Sequence, residues 1–233
     1  MTKVAVVVGM TTEAACLAAM PVRVVCSGAR PQLARERAER MVAEGATALV
    51  SFGIAGALSP GLEPGTLILP KTVVGPPTPG QLSGPVYEVD PAWYHRVVAL
   101  AHARGLAIVD GVRLVGSDHA VTTAAAKAAL AHATDPVAVD MESHVVAAVA
   151  REHGLPLLVL RAIADPADRA IPGPALAGLG PDGDARPLAV ALRLLAAPWT
   201  LPALLRLAAD SQAGLSALSR AVQCLGPAAF LLG

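Results

Sequence analysis

Short apolar runs and amphipathic stretches take turns along the chain, and their order lays out the elements. Val4 to Val8 is an unbroken apolar run that reads as a buried central strand closed by Gly9. Met10-Thr11-Thr12-Glu13 opens a helix to about Met20, with Thr11 or Thr12 available as its cap. A second strand, Val22 to Cys26, leads through Ser27-Gly28-Ala29-Arg30-Pro31 into an amphipathic helix, Gln32 to Ala43. That helix carries Arg35, Glu36, Glu39 and Arg40 on its outer face and stops at Gly45. Ala48 to Phe52 reads as a strand closed by a glycine turn, Gly53-Ile54-Ala55-Gly56. Thr66 to Val74 reads as the next strand, and Gly75 to Pro85 as a proline-rich surface loop. A helix with Asp90 as cap starts at Pro91 and runs to about Arg104. Val112 to Val115 is a strand ending in Gly116-Ser117-Asp118-His119, and Thr122 to Ala131 an alanine-rich helix.

Ala138 to Glu142 then reads as a short buried strand meeting a helix, Ser143 to His153, with Val145, Val146 and Val149 on one side. Pro156 opens the strand Leu157 to Ile163, and Asp165 lies just past its end. Pro166 to Pro187, rich in proline and glycine, is too long for an idle connector and reads as a mobile flap over a site. Two helices finish the chain, about Leu188 to Ala196 and Leu201 to Val222. Alternating strands and helices without an internal repeat predict one α/β domain over residues 1–233, with helices on both sheet faces.

Composition narrows the function classes. Hydrophobic residues make up 54% and charged ones 15%, so much apolar surface must be buried or shared with a partner. Lys plus Arg equals Asp plus Glu, and this balance excludes the basic face of an electrostatic nucleic-acid binder. Aromatics at 3% are too few for base-stacking platforms. Cys16, Cys26 and Cys224 have no metal-ligand spacing and form no even-numbered framework, which fits a reduced, cytoplasmic setting. The five-residue run Val4 to Val8 is too short for a signal peptide. Leu188 to Leu207 is interrupted by Arg193, Pro198, Pro202 and Arg206, so no transmembrane helix is expected.

Candidate chemistry gathers at strand ends, where α/β sheets bind ligands. Asp140 and Glu142 sit where a strand meets a helix, and Asp165 follows the next strand. Taken one at a time, the helix dipole and a turn before proline account for these carboxylates. The glycine segments at Gly28 and Gly53 to Gly56 could hold an anion on backbone N–H groups. Neither matches a Walker or dinucleotide fingerprint.

Four stretches in register change that balance. They are Gly9-Met10-Thr11-Thr12-Glu13; Gly53-Ile54-Ala55-Gly56-Ala57-Leu58 running to Pro64-Gly65-Thr66-Leu67-Ile68; Val139-Asp140-Met141-Glu142; and Arg161-Ala162-Ile163-Ala164-Asp165. Their order and spacing over about residues 3–168 resemble the nucleoside phosphorylase and nucleosidase family. That family includes purine nucleoside phosphorylases and methylthioadenosine/S-adenosylhomocysteine nucleosidases. Within it, the apolar C-terminus, Leu201-Pro202-Ala203-Leu204-Leu205-Arg206-Leu207, looks most like the bacterial hopanoid-associated phosphorylases, which release adenine from adenosylhopane.

The resemblance implies a single three-layer αβα domain around a central mixed, twisted sheet. It implies that Asp165 is the general acid toward N7 of the base, a role a carboxylate suits when a closing flap encloses it. Glu142 would bind the ribose hydroxyls and Met141 would pack beneath the sugar. Ala55, Gly56 and Asp118 would line or support the substrate site, with His119 beside them. Glu13 matches the carboxylate that positions the attacking water in nucleosidases. Ser27, Gly28, Arg30 and Gly53 are the candidate phosphate contacts, but Ser51 and Phe52 stand where several phosphorylases carry an arginine. Attack by water and attack by phosphate both stay open. Ala164 stands where nucleosidases often have serine, so the orientation of Asp165 depends on other neighbours. A buried Arg161 would need Glu142 or Asp140 as partner.

The leading expectation is cleavage of the N-glycosidic bond of an adenine nucleoside with a hydrophobic 5′ substituent, adenosylhopane first. A methylthioadenosine/S-adenosylhomocysteine nucleosidase is the alternative. A non-catalytic nucleoside-binding protein is the reading from another class. No metal and no cofactor are expected, with inorganic phosphate the one candidate co-substrate. Partners are expected to be the small nucleoside, which could be lipid-linked, and further copies of the chain, most simply a dimer. Peripheral contact with the inner face of the membrane stays open.

Overall fold

The computed structural model of the chain describes residues 3–77, 84–178, 180, 183–184 and 187–230. Eight strands form one mixed sheet: β1 (Val4–Val8), β2 (Arg23–Cys26), β3 (Ala48–Ala57), β4 (Leu67–Val74), β5 (Val86–Glu88), β6 (Val109–Gly116), β7 (Ala138–Asp140) and β8 (Leu157–Asp165). Strand β1 lies between β2 and β3, parallel to both, and all five of its side chains are buried. This is why it reads as a continuous apolar run and does not alternate.

Beyond β3 the sheet closes on itself. Strand β3 pairs with β8 in parallel and with β7 antiparallel, β7 with β6 in parallel, β6 with β4 in parallel, and β4 with β8 antiparallel. The ring β3–β8–β4–β6–β7 leaves β2 and β5 as the outer strands. Closure needs bends, and the register of β3 against β8 slips at Ala55/Gly56. The Gly53 to Gly56 segment is therefore strand and not the turn its composition suggests. Pairing with β8 along the segment, joined by β7 at Gly56, overrides local glycine propensity.

The helices are α1 (Thr11–Cys16), α2 (Pro31–Ala43), α3 (Pro91–Ala103), α4 (Ala124–Thr134), α5 (Ser143–Glu152), α6 (Pro187–Ala196) and α7 (Leu201–Leu225). Helices α2 and α5 pack together on one side of the sheet; α1, α3 and α7 gather on the other, which gives the three layers. Asp90 caps α3 as expected, accepting from Trp93 N at 2.7 Å. Helix α1 departs from expectation. It is shorter, its N-cap is Met10, and neither Thr11 nor Thr12 caps it; Thr11 Oγ1 instead donates to Gly183 O.

Part of the expected flap, residues 179, 181–182 and 185–186, lies outside the described residues. The described part is tied down. Ile171 N donates to Thr122 O, Arg169 pairs with Asp210 on α7, and Thr11 N donates to Gly183 O. Among the described residues no helix is long and apolar enough to cross a membrane. Leu192, Leu195, Trp199, Leu201 and Leu205 nevertheless make α6 and the start of α7 an exposed apolar face.

Candidate active site

The closed end of the sheet brings the carboxyl ends of β1, β3, β7 and β8 to one mouth. A pocket of about 670 Å³, measured out to that mouth, lies there. Glu13, Asp140, Glu142 and Asp165 line it together with Met10, Ile54, Ala55, Gly56, Met141 and Ile171. Among the described lining residues there are four carboxylates and no lysine or arginine.

Glu13 stands at the third position of α1 and reaches back across the helix start. Its Oε2 accepts from Gly9 N and Met10 N, both at 2.8 Å, and its Oε1 from Ile54 N at 2.8 Å. The first two bonds satisfy donors left over where β1 turns into the helix, half of a capping box. Burial pushes the Glu13 carboxyl above the usual carboxylate range, against the pull of Arg161 and the three amides. A proton acceptor is thus held in one orientation on the pocket wall.

The backbone of β3 must come close for this to hold. A Cβ on Gly53 would lie 2.5 Å from Arg161 Nη1 and closer still to Glu13 Oε1. Gly53→Ala should therefore displace Glu13, Arg161 or both. We expect kcat/KM to fall by about 100-fold or more, the order that a 1 Å misplacement costs, with the fold retained by circular dichroism.

Arg161 on β8 is fully buried. Its Nη2 pairs with Asp140 Oδ2 at 2.5 Å, donates to Ser51 Oγ at 2.6 Å and to Ser143 Oγ at 3.1 Å, and lies 3.7 Å from Glu142 Oε2. The partner expected for a buried guanidinium is therefore Asp140 first, with Glu142 at longer range. Asp140, taken in sequence as helix-start charge, also accepts from Ser143 N. It is the counter-ion that keeps Arg161 buried.

Glu142 is left with burial and two acidic neighbours. Its carboxyl is pushed up to about 8, by burial first, with Arg161 opposing and Asp140 and Glu13 adding to the rise. The folded chain holds this proton more tightly than the unfolded one. The group's contribution to stability is therefore complete below about pH 4.5 and is lost as pH rises toward about 8. Glu142→Gln should remove the cost of protonating this group on folding at neutral pH. We expect Tm at pH 7.5 to rise, by roughly 2–4 °C for each kcal/mol relieved. Nucleoside affinity should fall about ten- to hundredfold, because the amide offers one acceptor oxygen where the carboxyl offers two to the ribose diol. Calorimetric melting and titration read the two effects separately.

Asp165 is the last residue of β8, in register with Gly56 of β3. A Cβ on Gly56 would lie 3.0 Å from Asp165 Oδ2, so this glycine makes room for the carboxylate. Lys127, on α4, pairs with Asp165 Oδ2 and is fully buried. The sequence reading missed it. Its signal is a single lysine in Ala-Ala-Ala-Lys-Ala-Ala-Leu-Ala, which looks like solvated helix charge.

The other expected site residues divide. Met141, Ala55 and Gly56 line the pocket, as does His119. Asp118 does not; it is half exposed and faces His144 Nε2 at 3.1 Å. Ser27, Gly28, Arg30 and Gly53 are not brought together as an anion site. Of that neighbourhood only Ala29 reaches the pocket wall, Ser27 is buried away from it, and Gly53 is pressed against Glu13.

The sequence profile of the Phosphorylase superfamily matches residues 3–185. No curated protein sequence matches the chain. Among solved structures, the Helicobacter pylori 5′-methylthioadenosine/S-adenosylhomocysteine nucleosidase is similar at TM-score 0.69 and 18% identity, covering 95% of this chain and 98% of that one. The Neisseria meningitidis enzyme of the same name, in complex with methylthio-immucillin-A, gives 0.68 and 19%, covering 94% and 99%. Futalosine hydrolase of H. pylori gives 0.69 and 18%, covering 95% and 97%. At these identities the likeness to solved structures establishes the fold.

Proposed function

The chain belongs to the phosphorylase superfamily, and on that premise we propose that it hydrolyses the N-glycosidic bond of an adenine nucleoside. The observation that carries the reading is a pocket whose described lining holds four acidic side chains and no lysine or arginine, with Glu13 fixed on its wall by three backbone amides. Asp140 and Asp165 already have buried cations as partners, so Glu13 is the group that decides: phosphate beside its carboxylate is electrostatically unfavourable, whereas water beside it is a nucleophile in the making.

Three of the acidic groups then have one task each. The C1′–N9 bond breaks toward an oxocarbenium-like sugar, and its electron pair goes to the departing purine. Asp165, ion-paired with Lys127 at rest, takes a proton from solvent and passes it to N7, so adenine leaves neutral. Glu13 takes a proton from water as the water oxygen bonds to C1′. Glu142 accepts hydrogen bonds from the ribose diol, and Met141 packs against the sugar. The products are adenine and the free 5′-substituted ribose; no cofactor takes part.

Within adenine nucleosides we propose a hydrophobic 5′ substituent, adenosylhopane being the first candidate. The apolar wall of Met10, Ile54, Val121 and Ile171 supports this, as does the exposed apolar face of α6 and α7. A homo-oligomer, most simply a dimer, is part of the same proposal, since that exposed apolar face could be shared between copies of the chain. A panel of adenosine, 5′-methylthioadenosine and adenosines with longer 5′-alkyl groups tests it. We expect kcat/KM to climb with the length of the substituent. A maximum at 5′-methylthioadenosine would favour the methylthioadenosine/S-adenosylhomocysteine nucleosidase reading instead.

A further inference from the structure

Lys127 makes three contacts, one for each ammonium N–H. Its Nζ donates to Asp165 Oδ2, to Pro166 O at 2.6 Å and to Arg169 O at 3.0 Å. A lysine side chain wholly removed from water has to be satisfied in this way, because burying an unpaired ammonium is prohibitively costly. The three acceptors come from one short stretch, the end of β8 and the turn after it. The same stretch leads to Ile171, which lines the pocket and is itself bonded to Thr122 just before α4. Helix α4 thus fastens both Asp165 and the start of the segment over the pocket.

The chain needs such a fastening. Ala164, the residue before Asp165, has no hydroxyl to support the carboxylate. Gly56, in register with Asp165 on β3, offers space and no side-chain bond. Lys127 occupies Oδ2 and leaves Oδ1 as the oxygen available to a base in the pocket.

We propose that Lys127 is the positioning residue of the general acid: it fixes the rotation of the Asp165 carboxyl and stabilises the carboxylate left when the proton passes to N7. This rests on the hydrolytic reading above. The consequence is selective, because help to the leaving group matters only where the leaving group needs a proton. Adenine does. The 4-nitrophenolate of 4-nitrophenyl β-D-ribofuranoside departs without one.

The test compares Lys127→Met and Lys127→Arg with the parent on both substrates. With an adenine nucleoside, Lys127→Met should lose about 100-fold in kcat with KM within a few-fold, the low end of what general acid catalysis contributes. Lys127→Arg should recover part of that loss. On the 4-nitrophenyl riboside both variants should stay within a few-fold of the parent. In an Asp165→Asn background, Lys127→Met should cause no further loss on the nucleoside, since residues acting as one unit are not additive. Equal losses on both substrates, or a full further loss in the double variant, would show that Lys127 is only structural. Should Lys127→Met not fold, the Lys127→Arg substrate ratio and its double variant with Asp165→Asn decide the matter by the same criteria. A parent enzyme that cleaves no nucleoside would refute the hydrolytic reading; an active parent matched by an equally active Lys127→Met would refute this inference alone.

Discussion

Asp165→Asn abolishes most turnover and leaves nucleoside binding nearly intact: kcat for adenine release should fall by about 10³-fold or more, toward the upper range for loss of a positioned acid. An amide can still donate a hydrogen bond to N7, so the ground-state complex survives. It cannot hand over a proton, so the departing base keeps its negative charge. The ion pair with Lys127 is lost as well. The amide oxygen remains as an acceptor, and the Pro166 and Arg169 carbonyls still hold the ammonium. The fold should therefore persist with a lowered Tm. Adenine release and titration with a non-cleavable nucleoside analogue measure the two sides. A non-catalytic nucleoside-binding protein would show no glycosidic activity to lose.

Glu13→Gln should cost as much by a different route. Glutamine keeps the shape and removes the proton acceptor, which predicts a loss of about 10²- to 10⁴-fold in kcat. It also disturbs the support. Both carboxylate oxygens face backbone donors: Gly9 N and Met10 N on one side, Ile54 N on the other. An amide offers one oxygen, so its NH₂ must face an N–H, and a buried donor left unsatisfied costs about 1–3 kcal/mol. Activity should fall further than stability, and added inorganic phosphate should restore neither. Recovery of nucleoside cleavage by phosphate would mean that the anion, and not a Glu13-bound water, is the natural nucleophile.

Much of the framework was legible because the strong signals were local. Unbroken apolar runs became interior strands, and Asp90 followed by Pro91 marked the start of α3. Glu13, Glu142 and Asp165 could be placed by motif and do share one pocket. What escaped is non-local. The glycines at Gly53 to Gly56 look like a turn until β8 pairs along the whole segment and β7 joins at Gly56. Thr11 and Thr12 look like caps, but Glu13 bonds the first amides and Thr11 turns toward Gly183. Asp140 looked like helix-start charge because its partner, Arg161, lies on another strand. Lys127 gives no signal in the sequence because the carbonyls that bury it belong to residues about forty positions later.

These hidden pairs share a pattern. Each acidic group with a proposed chemical task has a buried support behind it: Arg161 near Glu13 and Glu142, Lys127 behind Asp165. The cations face the carboxylates, and the carboxylates face the pocket. On the hydrolytic reading proposed above, this arrangement holds water and a neutral sugar.

The most direct test of that claim is the fate of the sugar in H₂¹⁸O, with and without inorganic phosphate. Incubation with an adenine nucleoside should release adenine at the same rate in both buffers, with one ¹⁸O at C1′ of the free sugar and no sugar 1-phosphate in the ³¹P spectrum. Adenine release that depends on phosphate, with a sugar 1-phosphate as product, would contradict it.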